Sequence, residues 1–155
     1  MARVGRAARN ASLMRVENIS SDKTCQAAES GEVYIASGGL TVTLPPAKAG
    51  AYIKVILGAQ VNNGGTALVV QTASTSTTMV GSVDVVTEGT EPSSTYLTAN
   101  RADSGDGHDK VTLNPGSGHM YSGSFVECIC DGTSWYVNGT LFGASSGNTA
   151  QFGDQ

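Results

Sequence analysis

At 155 residues and 15.8 kDa the chain is long enough for one well-formed core and short for two. Only 14% of its residues are charged, and Gly, Ser and Thr together supply about a third, a mixture too poor in Ala, Leu, Glu and Lys for a helical bundle and too rich in valine and threonine runs for disorder. The net charge of −4 is unevenly placed: residues 1–16 carry Arg3, Arg6, Arg9 and Arg15 without an acid, and the remainder has a balance of −8.

A basic arm on an acidic body implies an arm with its own partner, or one that folds onto an acidic neighbour. The first fifteen residues, Arg-rich and free of acids, share those features with mitochondrial transit peptides, though a docking segment fits them equally. Arginines at a spacing of three could line a helical face, but Gly5 and the small residues favour a free arm. No apolar run is long enough for a membrane span or a secretory signal core.

Val16 to Ser21 reads as a first short strand, and Val33-Tyr34-Ile35 as extended chain after a turn at Glu29-Ser30-Gly31. From Gly38 to Gly58 lies the clearest scaffold. Leu40, Val42 and Leu44 alternate with Thr41 and Thr43, Pro45-Pro46 ends the strand, and Tyr52 to Leu57 makes a second one. Asn62-Asn63-Gly64-Gly65 is a turn, followed by a strand from Ala67 to Thr72 and a polar loop at 73–78. Met79-Val80 and Val83 to Val86 form a pair or one strand bulged at Gly81. Thr87 to Asp109 reads as a long loop interrupted by Tyr96-Leu97, of the kind found at interfaces. Val111 to Leu113 is a short strand. Phe125–Cys130, the turn Asp131-Gly132-Thr133-Ser134 and Trp135–Leu141 make the cleanest hairpin, with Trp135 against the core.

Roughly eight to ten strands follow, without a helix or a whole-domain repeat. The expected fold is all-β: one compact sandwich or barrel-like (β-tulip-type) domain over 17–142, with a basic N-terminal arm at 1–16 and a Gly/Ser-rich tail at 143–155.

The chemical motifs are weak. Gly143-Ala144-Ser145-Ser146-Gly147 has the nucleophile-elbow pattern, but lacks the helix after it and a downstream histidine. Asp103, Asp106 and Asp109 could hold calcium, yet their every-third spacing departs from the alternate acids of a calcium loop. Cys128 and Cys130 share one strand face, about 7 Å apart and too far for an unstrained disulfide. With Cys25 and His108 or His119 they could form a zinc site, though buried thiols are the simpler expectation. Four arginines without aromatic partners make a poor nucleic-acid surface. The reading is therefore of a non-enzymatic protein with no cofactor, small-molecule substrate, nucleic acid or membrane partner.

Gly39-Leu40-Thr41-Val42-Thr43-Leu44-Pro45, followed by Gly50-Ala51-Tyr52 and an apolar strand, resembles a pattern in structural proteins of tailed phages. Cys130-Asp131-Gly132-Thr133-Ser134-Trp135-Tyr136-Val137-Asn138-Gly139 is similar to their last hairpin. Among these, small single-domain chains resemble the head decoration (cement) proteins. The resemblance covers roughly residues 30–142 and implies a homotrimer on the outer capsid surface of a virion, bound to the major capsid protein. The arm arginines Arg3, Arg6, Arg9 and Arg15 are then expected to anchor it. A trimeric fibre or receptor-binding module recognising host surface glycan is the alternative, and a free carbohydrate-binding module a weaker one.

Overall fold

The computed structural model describes residues 14–88, 95–102, 107–144 and 147–155. Among them are twelve strands: β1 Val16–Ile19, β2 Lys23–Thr24, β3 Glu32–Ala36, β4 Thr41–Thr43, β5 Tyr52–Leu57, β6 Leu68–Gln71, β7 Met79–Glu88, β8 Thr95–Ala102, β9 Lys110–Asn114, β10 Phe125–Cys130, β11 Trp135–Gly143 and β12 Thr149–Gly153. A single 3-10 turn at Ala27–Glu29 is the sole helical element among the described residues.

The strands form two mixed sheets, one of seven in the order β1-β3-β5-β10-β11-β7-β8 and one of five in the order β12-β9-β6-β4-β2. From β1 to β6 the chain alternates between sheets, so each circuit adds one strand to each. Neighbours laid down this way are parallel: β1 with β3, β3 with β5, β2 with β4 and β4 with β6. The segment that reads as one scaffold unit is thereby split. β4 and β5 lie in opposite sheets, and Pro45-Pro46 carries the chain across, since two residues without N–H groups leave no donor to continue a ladder.

The sheets share one core. Tyr34, Ile53, Val55, Leu57, Val126, Trp135 and Leu141 of the larger sheet meet Val42, Leu68, Val70, Val111, Leu113 and Ala150 of the smaller, all fully or almost fully buried. Each such aliphatic side chain contributes about 1.5–3 kcal/mol relative to exposure. The arrangement is a sandwich with distinct edges rather than a closed barrel.

Two expectations are corrected, and one of two open alternatives is chosen. The supposed loop from Thr87 to Asp109 contains β8, which pairs antiparallel with β7 from Gly81↔Ala102 to Glu88↔Thr95. β7 itself is one strand running through Gly81. The tail is not a free linker beyond residue 142: β12 pairs with β9, Ala150 is fully buried, and Asn148 donates to the carbonyls of Pro115 and His119 at 2.9 Å each. The chain end is held as well, because the Gln155 amide donates to Asp109 Oδ1 and its side chain to the Thr72 carbonyl, both at 2.8 Å.

Candidate functional site

The two sequence patterns that carry the phage resemblance meet at one end of the sandwich. The Gly50 amide donates to the Cys130 carbonyl at 2.8 Å, and the Cys130 amide returns a bond to Ala51 at 2.9 Å. Across the β10–β11 turn, Asp131 Oδ1 accepts from the amides of Ser134 and Thr133, both at 2.8 Å, and these two bonds hold its carboxyl below the usual range. Gly132, with φ of 108°, supplies the left-handed residue the turn needs. Thr78 ties the hairpin to β7 through a 3.0 Å hydroxyl contact with Ser134 and a carbonyl that accepts from the Trp135 amide. A small cleft beside these turns is lined by Ala27, Ser30, Pro45, Pro46 and Lys48. It offers one charge, on Lys48, and one hydroxyl, on Ser30.

From this end extends the outer face of the seven-stranded sheet. Ile129 lies opposite both Tyr52 and Tyr136, and Phe125 lies opposite Ile56 and Thr140. Between these rows, Lys54 Nζ is 2.6 Å from Glu127 Oε1 and 4.5 Å from the centre of the Phe125 ring. Tyr52 donates to the same carboxylate at 3.4 Å. Burial first, and Glu127 second, raise the Tyr52 phenol. Ile129 is 52% exposed, Tyr136 50% and Phe142 39%, an unusual apolar load for a sheet face turned to solvent. The signal was in the sequence: Tyr52–Leu57 and Phe125–Cys130 are almost continuously apolar, the pattern of strands covered on both faces.

A second cluster stands at the β1–β3 edge. Glu32, only 3% exposed, pairs with Arg15 at 2.8 Å, an ion pair by distance without the alignment of a hydrogen bond. Tyr34 donates to its other oxygen at 3.0 Å. Lys23 Nζ lies 2.9 Å from Glu29, 3.3 Å from Glu17 and 5.1 Å from the centre of the Tyr34 ring. Carboxylate oxygens of Glu17, Glu29 and Glu32 lie within 4.8 Å of one another, but Lys23 and Arg15 already supply the balancing cations, so the group reads as an ion-pair network. Burial pushes the neighbouring Cys25 thiol up to about 11.

The pairing within this network is pH-dependent in a defined sense. Partial burial works to raise Glu29, yet the Gln26 amide and Lys23 outweigh it and hold the carboxyl below its ordinary 4.5. Lys23 is raised above 10.5, chiefly by its bond to Glu29. A depressed carboxyl stabilises the fold above its unfolded pKa and loses that contribution as pH falls through the folded value; a raised lysine does the converse at the alkaline end. Melting temperatures of the native chain and Glu29→Gln should therefore differ by a constant amount between roughly pH 6 and 9. That gap should close in acid below about pH 4, and a gap that widened there would contradict the assignment.

Of the arm arginines, Arg3, Arg6 and Arg9 lie outside the described residues, whereas Arg15 is engaged with Glu32 of its own chain. Asp103, Asp106 and Ser145 also lie outside them. Asp109 is buried and accepts from the chain-terminal amide. All three cysteines are buried free thiols, and His108 faces Asp154 at 3.1 Å. Among the described residues the structure does not bring the thiols and a histidine to one point. Sequence reasoning missed Glu32 and Tyr34, because a glutamate opening a strand reads as a solvated residue. No family model matches the chain, nor does any curated protein or solved structure.

Proposed function

We propose that this chain is a decoration (cement) protein of a tailed-phage head, acting as a homotrimer on the outer capsid surface, with the major capsid protein as its partner. The observation that carries this reading is an apolar outer sheet face on a small all-β body, bordered by the strand from which the basic arm departs. Supporting it, the two phage-like patterns form one hydrogen-bonded unit rather than two separate coincidences. The mechanism is mechanical. Modest contacts from each copy add through multivalency when three copies dock together, and the arm contributes charge contacts to an acidic neighbour.

Arg15 belongs to the body through Glu32, so the anchoring role falls to Arg3, Arg6 and Arg9. Deleting residues 2–13 keeps the Arg15–Glu32 pair and removes only those three charges. Expected is at least a roughly tenfold loss of occupancy on isolated shells at low salt, shrinking as salt is raised, with an unchanged melting temperature. Undiminished occupancy would overturn the anchoring role, and failure of the full chain to bind shells would overturn the cement reading itself.

A further inference from the structure

We infer that the outer face of the seven-stranded sheet is the surface on which a second copy of this chain packs, centred on Ile129 and Tyr136. This deepens the homotrimer of the proposed function and rests on that reading for the number of copies, but the surface is argued from its own chemistry. Of the five large apolar side chains that are most exposed among the described residues, Ile129, Tyr136 and Phe142 lie on this face. Val16 extends it at the β1 edge, and Met14 stands just before that strand. Ile129 and Tyr136 stand side by side and the others share their face, which sets them apart from the scattered exposed apolar residues every protein has.

The dimensions fit. From β1 to β7 six strands lie side by side, so the face is about 24 Å across at a strand spacing of about 4.8 Å. Its central strands β5 and β10 are six residues long. At about 3.4 Å per residue that central area is roughly 480 Å² when flat, and β7 and β11, ten and nine residues long, extend it toward the ~800 Å² per partner of a standard interface.

Charge identifies the occupant. In the central rows Lys54 and Glu127 neutralise each other at 2.6 Å, and both lean on aromatic neighbours rather than projecting freely. A nucleic acid or a strongly charged protein finds no complementary field there. In those rows a copy of the same face meets no like-charge repulsion, Asp84 of β7 standing to one side opposite Thr140, and the half-exposed rings and Ile129 bury against equivalents of themselves near a symmetry axis. Tyr136, half-exposed and directly opposite Ile129, presents an aromatic ring that suits such a place.

The test is the mass of the purified full chain in solution by light scattering and sedimentation, beside Ile129→Asp and Asn138→Arg. Ile129→Asp places a charge in the apolar centre. Asn138→Arg adds charge and bulk at an exposed position in the row between, without removing a core contact, so it stays informative if the first variant does not fold. Expected is a native mass of at least twice 15.8 kDa, and a folded monomer for the variants, with self-affinity reduced at least about a hundredfold. A native chain that stays monomeric at high concentration overturns the self-association. Native-like oligomers of both variants overturn the surface while leaving the trimer standing. Shell binding by a monomer, or its absence in an oligomer, separates the fate of the cement reading from that of this surface.

Discussion

Gly81→Ala is expected to cost about 3 kcal/mol of stability, among the largest effects of any conservative change in this chain. Gly81 is the third residue of the larger sheet's longest strand, opposite Val137 of β11, with φ of 143°. A Cβ built there falls 1.9 Å from the Val137 carbonyl oxygen and 2.8 Å from its carbon, so the obstacle is main chain and not a movable side chain. Relief requires β7 and β11 to part, and β11 is pinned on its other side by the full β10 ladder. Gly64→Ala is the matched control: its φ of 72° carries the conformational cost, but nothing lies within 4 Å of the added methyl. It should lose only about 1 kcal/mol in urea denaturation. Similar losses at both sites would show that backbone conformation, and not the approach of two strands, makes glycine necessary at position 81.

The same strand shows where sequence reasoning reaches and where it stops. The β10–β11 hairpin was legible because its turn residues and both its alternating runs lie within nineteen consecutive residues, from Phe125 to Gly143. Sheet membership was not, since β4 and β5 are neighbours in sequence and belong to opposite layers. β8 was hidden because Thr95–Ala102 has no two-residue rhythm of its own, and its strand character comes from pairing with β7. β12 was concealed by composition: a Gly/Ser tail is extended by default, and only the β9 ladder and the seat for Ala150 turn it into part of the body.

The candidate surface was half legible for a related reason. Tyr52, Ile129 and Tyr136 stand on three strands, so their row exists only in the register of the sheet. Its one local trace was the lack of alternation in β5 and β10. Glu32 left no trace at all, because its inward orientation depends on Tyr34 two residues later and on Arg15 from the other side of a strand. That pair also moves the functional boundary of the arm. With Arg15 removed, a buried carboxylate loses its counter-charge, so the part of the arm that can leave the body without disturbing it ends before Met14.

Trp135 gives the second large effect, and the comparison of two substitutions gives it meaning. It is the largest fully buried side chain, at the start of β11 where the Thr78 carbonyl and the Cys130 pairing fix its backbone. Trp135→Ala should cost about 3–5 kcal/mol, because the walls on both sheets are held by their ladders and will not collapse fully into the space. Trp135→Phe should cost under about 2 kcal/mol. The indole Nε1 is buried without a hydrogen-bond partner among the described residues, so phenylalanine removes volume but breaks no bond and relieves an unsatisfied donor. Circular dichroism melts of the three proteins decide the matter, since the phenylalanine variant has no tryptophan left to report fluorescence. A loss for phenylalanine as large as that for alanine would mean that the indole N–H is bonded and ties the hairpin down. Trp135 would then hold the β10–β11 turn in place by a directed contact, and the tryptophan would matter for geometry more than for volume.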